Sequence, residues 1–244
     1  MTYCLAVNVN EGIVFASDSR TNAGVDYIRT SSKMHRFFWP DNRIIVLLSS
    51  GNLATTQAVV NAVQRDLDNP KAKFNLLKAK HLFDIADYIG DLSQQEQQHH
   101  GPAVEKNGGS SGASFILGGQ LKDHEHAIYL IYPEGNYINS SPDTPYLQIG
   151  ENKYGKPILD RVISTDSSLN DAARCSLVSL DSTMRSNISV GPPLELTMYT
   201  ADSLQEPRQM SLKLASPYYK SLQKSWNDGL KRAFTRLPRF EWEK

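Results

Sequence analysis

The chain has 244 residues, enough for one large domain or two small ones, and at this length it needs no disulfide or metal staple. Hydrophobic residues make up 40% and charged residues 21%, which excludes disordered and fibrous classes. Lys plus Arg equals Asp plus Glu at 26 each, so no basic field exists for non-specific nucleic-acid binding. The longest apolar run, Ala127 to Tyr132, falls far short of the ~20 residues that span a bilayer. The N-terminus lacks a basic region ahead of its apolar stretch and breaks into Asn8 and Asn10, unlike a signal peptide, so a cytoplasmic protein is expected. Two cysteines, Cys4 and Cys175, read as buried thiols in a reducing compartment, with a lone disulfide as the alternative.

Tyr3, Leu5, Val7 and Val9 alternate with smaller residues at the period of a strand. Glu11-Gly12 turns the chain into a second strand, Ile13 to Asp18, which pairs back as a hairpin. Arg43 to Ser50 holds five consecutive apolar residues and predicts a strand covered on both faces. Leu53, Thr56, Val60, Val63 and Leu67 recur at helical spacing until Asn69-Pro70. Leu82, Ile85, Ile89 and Leu92 start a second helix that fades into a polar tract, 93–100, and the Gly- and Ser-rich stretch 101–112 predicts a loop. Strands are expected at 114–120, 127–133 and 146–149, and helices at 152–163 and 169–186. The second of these helices starts at a capping-box-like Ser168-x-x-Asp171. Strands at 194–200 and 209–214 and a helix at 218–237 complete the order. Strand blocks flanked by helix pairs point to antiparallel sheets covered by helices, an α+β layered sandwich, in one domain.

The chemistry starts at Thr2. If Met1 is trimmed, Thr2 becomes an N-terminal residue carrying both a hydroxyl nucleophile and an amine of unperturbed pKa ~7.7–8.0 as its base. The hairpin returns Asp18 toward the start of the first strand, and Lys33 follows fifteen residues on. A lysine near the hydroxyl lowers the cost of an alkoxide, and a carboxylate keeps that lysine charged and oriented. Gly51, between a buried strand and a helix, can present a bare N–H to an oxyanion, helped by the helix N-terminus.

Other motifs carry less. Gly108-Gly-Ser110-Ser-Gly112 satisfies G-x-S-x-G, but that elbow needs a strand before it and a helix after, and here a strand follows. His99-His100 and His124-x-His126 lack a third ligand at metal-binding spacing, so no metal or other cofactor is expected.

Thr2, the run Gly12 to Arg20, Lys33 and the run Ser50 to Ala54 resemble the proteasome beta-subunit family of N-terminal nucleophile hydrolases. Within it, the stretches 17–26, 148–161 and 181–191 are similar to the bacterial Anbu branch, the ancestral beta subunit. The resemblance implies a four-layer αββα sandwich with Thr2 as nucleophile and base, Asp18 and Lys33 as the charge pair and Gly51 as oxyanion donor. It also implies a homo-oligomer, a ring or a helical assembly, acting on peptides or proteins, with no nucleic acid and no membrane as partner. Two positions depart from the catalytic subunits. Glu151 follows Ile149-Gly150 where they carry Ser, and the Asp-x-x-Ser beside the nucleophile's amine reads Ser186-Asn-Ile-Ser189. Ser189 fits the pattern and Ser186 replaces the acid, so a carboxylate has moved from one side of the amine to the other if Glu151 points inward. The 216–244 tail, a helical extension with seven Lys or Arg against three acids, is expected to serve packing or assembly.

Overall fold

The computed structural model describes residues 2–22 and 28–243; Met1 and the 23–26 part of the 17–26 motif lie outside them. In chain order, strands β1 (Tyr3–Val9), β2 (Gly12–Asp18), β3 (Arg20–Asn22), β4 (Ile28–Thr30), β5 (Met34–Trp39) and β6 (Arg43–Gly51) lead into helices α1 (Leu53–Asp68) and α2 (Leu82–Lys106). Strands β7 (Ala113–Leu121), β8 (Ala127–Ile131), β9 (Tyr137–Asn139) and β10 (Tyr146–Gly150) follow, then helices α3 (Lys156–Val162) and α4 (Leu169–Ser186). Strands β11 (Leu194–Thr200) and β12 (Arg208–Leu212) precede α5 (Pro217–Thr235).

Two five-stranded antiparallel sheets, β10-β1-β2-β11-β12 and β5-β6-β7-β8-β9, stack face to face. Three apolar clusters define the layers. Cys4, Ala6, Ile13, Phe15, Val46, Leu48 and Ile116 fill the space between the sheets. Tyr3, Leu5, Val7 and Val14 pack outward onto α4 and α5, while Ile45, Leu47, Phe115 and Leu117 pack outward onto α1 and α2. The result is the αββα sandwich. It also explains why β1 and β2 are buried at nearly every position, although alternation in β1 suggested one covered face. A sheet between a second sheet and a helix layer has no wet side.

Several boundaries differ from expectation. The 93–100 tract and residues 101–106 are not a fading end and a loop; they continue α2 to Lys106 with Pro102 inside it. Buried Gly101 leaves room there for Ser111, since a Cβ on it would stand 3.0 Å from that hydroxyl. The helix expected at 152–163 begins only at Lys156. Gly155 is pressed against the Tyr3 and Ser179 hydroxyls, so the chain turns before it coils. Strand β5 is not among the elements expected from the sequence; its Phe37, Phe38 and Trp39 are only half-buried. Both cysteines are free and buried. No helix among the described residues is long and apolar enough to cross a membrane.

Candidate active site

Thr2 leads directly into β1, which is held between β2 and β10, so its backbone is anchored on both sides. Its carbonyl accepts the Glu151 N–H at 2.7 Å. Gly150, at φ +83°, lies so close to that carbonyl that no side chain fits.

The β1–β2 hairpin brings Asp18 under this start. Asp18 is fully buried, and Oδ1 accepts the Tyr3 N–H at 3.1 Å while Oδ2 accepts the Gly191 N–H at 3.0 Å. Lys33 Nζ stands 3.1 Å from Asp18 Oδ1 and donates to the Arg20 carbonyl at 2.6 Å. The ammonium is thereby fixed by acceptors from β2 and β3, and the carboxylate holds the peptide group that follows Thr2. Cys4 lies beneath, its Sγ 3.7 Å from the Ser49 carbonyl, and burial pushes its thiol well up, so it offers no competing thiolate.

Gly51 closes the β6 edge. Ser49 N–H donates to the Lys33 carbonyl at 2.9 Å, and strand alternation puts the Gly51 N–H on that same edge, beyond the first residue of β5. With φ +105° and a Cβ position that would overlap the Gly112 carbonyl, residue 51 has to be glycine. The G-x-S-x-G stretch is the loop expected, between α2 and β7, and it braces this corner. Asn52 caps α1 through Oδ1 and donates Nδ2 to the Ser110 carbonyl at 2.8 Å, while Thr55 Oγ1 donates to Ser111 at 2.9 Å. A pocket of about 80 Å³ results, lined by Thr2, Lys33, Gly51, Thr21, His35 and Gln57 among others. Burial lowers the His35 pKa, and the Thr21 hydroxyl is buried without a hydrogen-bond partner among the described residues. The roomier clefts of the molecule lie elsewhere.

The remaining candidates form a second group. Glu151 Oε2 accepts Asn187 Nδ2 at 3.0 Å, and Asn187 Oδ1 accepts the Ser189 N–H at 2.9 Å. Glu151 and the 187–189 turn are therefore joined through Asn187, a residue that sequence reasoning did not single out. Its only signal was its place inside Ser186-Asn-Ile-Ser189. Ser186 is exposed at the end of α4 and lines a different cleft, with Arg20 and Arg185. Among the described residues no cluster could hold a metal ion. His99 and His100 contact each other, and His126 Nε2 lies 2.9 Å from the Val9 carbonyl.

Burial pushes the Asp18 carboxyl above the usual range, opposed by the Lys33 charge and the Gly191 and Tyr3 N–H groups. Because its folded-state pKa lies above its unfolded value, the folded chain takes up this proton first as pH falls. The stability from Asp18 is thus full below the ordinary carboxylate pKa of ~3.9 and is lost as pH rises through the folded value. The ion pair with Lys33 runs the other way and is lost as pH falls through that same value. Melting temperatures of the parent and Asp18→Asn across this range check the sign: the parent should lose ground to the variant as pH rises.

A proteasome subunit family model matches residues 2–198. The chain belongs to the proteasome subunit family. Three solved structures place it beside the Anbu proteins. Anbu from Yersinia bercovieri is 42% identical with a TM-score of 0.91, covering 98% of this chain and 99% of that one. An Anbu mutant from Hyphomicrobium sp. strain MC1 is 40% identical with a TM-score of 0.91, covering 99% and 100%. The helical assembly of the Anbu complex from Pseudomonas aeruginosa is 41% identical with a TM-score of 0.92, covering 98% of each chain. Comparison with curated proteins gives no match. The family model stops at residue 198, so the end of β11, all of β12 and all of α5 lie outside that general model, whereas the Anbu mutant structure covers 99% of this chain.

Proposed function

We propose that this proteasome-family subunit is an N-terminal threonine hydrolase that cleaves amide bonds in peptides within a cytoplasmic homo-oligomer. Residues 1–244 form one subunit domain, with 216–244 as its helical extension. The observation that carries this reading is the buried Asp18–Lys33 pair bonded to the peptide group next to Thr2. Removal of Met1 frees the Thr2 amine. Thr2 Oγ1 then attacks the substrate carbonyl while its proton passes to that amine, and the Gly51 N–H receives the oxyanion. The amine returns the proton to the leaving nitrogen as the C–N bond breaks, which leaves an ester on Thr2. Water, deprotonated by the same amine, hydrolyses the ester. Lys33 keeps a positive charge beside the hydroxyl throughout and transfers no proton. Assembly follows the Pseudomonas aeruginosa Anbu complex, whose structure is described as helical. Steady-state cleavage of a peptide library by the assembled protein, lost in Thr2→Ala, tests the reading.

Glu151 supplies the carboxylate beside the Thr2 amine, with Asn187 and Ser189 holding it and Ser186 taking no part. An opposite charge raises an amine's pKa appreciably only within about 4–6 Å. Glu151→Gln should therefore move the acid limb of the labelling rate, which needs a neutral amine, to lower pH. A limb that stays in place removes Glu151 from the site.

A catalytically silent scaffold is favoured by one observation: Ser186, which stands at the family's acid position, is exposed and lines another cleft. An intact mass that retains Met1 supports this second function, since the amine is then blocked.

A further inference from the structure

Two groups of residues adjoin the start of β1: the Asp18–Lys33 pair, and the Glu151–Asn187–Ser189 chain. Arg20, the first residue of β3, touches both. Its carbonyl accepts Lys33 Nζ at 2.6 Å. Its N–H donates to the Gly191 carbonyl at 3.1 Å, and the Gly191 N–H donates in turn to Asp18 Oδ2 at 3.0 Å. The side chain then crosses the 187–191 turn, where Nη1 donates to the Ile188 carbonyl at 2.6 Å. Ile188 is 84% exposed, so burial of its own side chain does not hold the middle of that turn. The middle matters because it carries Ser189, whose N–H reaches Asn187 Oδ1, while Asn187 Nδ2 reaches Glu151 Oε2.

Gly191 records the same contact in its residue type. A Cβ there would stand 2.4 Å from Arg20 Cζ, 2.5 Å from Nε and 2.7 Å from Nη2. Its φ lies outside the left-handed region, so the backbone does not demand glycine. Residue 191 has no side chain because the guanidinium lies across it. A planar cation suits that place: it fits flat over the bare Cα and makes a charge-assisted bond to a carbonyl beyond it.

We infer that Arg20 is a positioning residue, whose guanidinium clamps the 187–191 turn and so fixes Asn187, Ser189 and Glu151 relative to the Asp18–Lys33 pair. The inference rests on the hydrolase reading above and adds to it the element that keeps the two halves of the site in register. Arg20 touches no reacting atom. Its effect on rate comes from geometry alone, since a shift of about 1 Å caused far from the chemistry can cost as much as 10²-fold.

The test follows epoxyketone labelling against probe concentration in the assembled parent, Arg20→Ala, Gly191→Ala and the double variant. Arg20→Ala should lower the saturating rate by up to about 10²-fold. The half-saturating concentration should stay unchanged, because the clamp orients the protein's own groups and not the probe. Gly191→Ala should lose rate by a similar factor with Arg20 still present, since its methyl group displaces the guanidinium. The double variant should be no slower than the slower single one, because both changes break one contact. Rate losses that multiply overturn the inference. So does a folded fraction of Arg20→Ala that labels at the parent rate, which would make the contact purely structural. A parent that takes no probe fails the hydrolase reading instead. Melting temperatures of the same four proteins then decide the clamp by themselves, and losses that add overturn it.

Discussion

Thr2→Ala should abolish labelling by an epoxyketone, because that warhead needs the threonine amine and hydroxyl together. The loss should be complete, since the Cys4 thiol is buried with its pKa pushed up and the other hydroxyls that line the pocket, Thr21, Ser49 and Ser50 among them, carry no α-amine of their own. Folding should survive. Thr2 precedes β1, is only half-buried, and gives the sheet its carbonyl, which alanine retains. Thr2→Ser should keep part of the rate because the hydroxyl and amine remain. Intact mass after probe treatment reads all three proteins, and an adduct on Thr2→Ala would remove Thr2 from the mechanism.

Lys33→Ala should slow labelling by about 10²–10³, the loss typical when one preorganised charge is removed from a developing anion. The same substitution strips the buried Asp18 of its partner, and breaking a buried pair costs about 3–5 kcal/mol. A rate loss could then reflect unfolding. The double variant Lys33→Ala/Asp18→Asn separates the effects, because it removes the uncompensated charge and should recover stability without recovering rate. Lys33→Arg should not rescue either. The ammonium sits between Asp18 Oδ1 and the Arg20 carbonyl, a point-charge position that a planar guanidinium cannot occupy. Labelling of folded Lys33→Ala at the parent rate would make the pair purely structural.

The αββα order was legible because its central pieces are locally consistent: the Glu11-Gly12 hairpin, the apolar run of β6, and the helical stripes of α1, α4 and α5. Asp18 could be named from sequence because the β1–β2 hairpin fixes where it returns, whereas Lys33, which lies just ahead of the unexpected strand β5, is named from its place fifteen residues on and from the family resemblance. The misread parts share a physical cause, which is that their shape is set by distant contacts. The end of α2 has no apolar stripe, as most of it faces solvent, and Gly101 and Pro102 look like loop residues until Ser111 packs on the helix. The late start of α3 depends on Gly155 meeting Tyr3, a residue 152 positions away. Asn187 acts through a single amide that bridges Glu151 and Ser189, and no spacing rule marks it. The Gly108–Gly112 stretch looked like an incidental motif, and its part in bracing Gly51 emerges only from the hydrogen bonds of Asn52 and Thr55.

The most direct measurement is intact mass with peptide mapping of the unmodified parent after epoxyketone treatment. The mechanism predicts a chain lacking Met1 and carrying one probe, attached at Thr2 through both its amine and its hydroxyl. A chain that retains Met1 and takes no probe, or takes it at another residue, would contradict it.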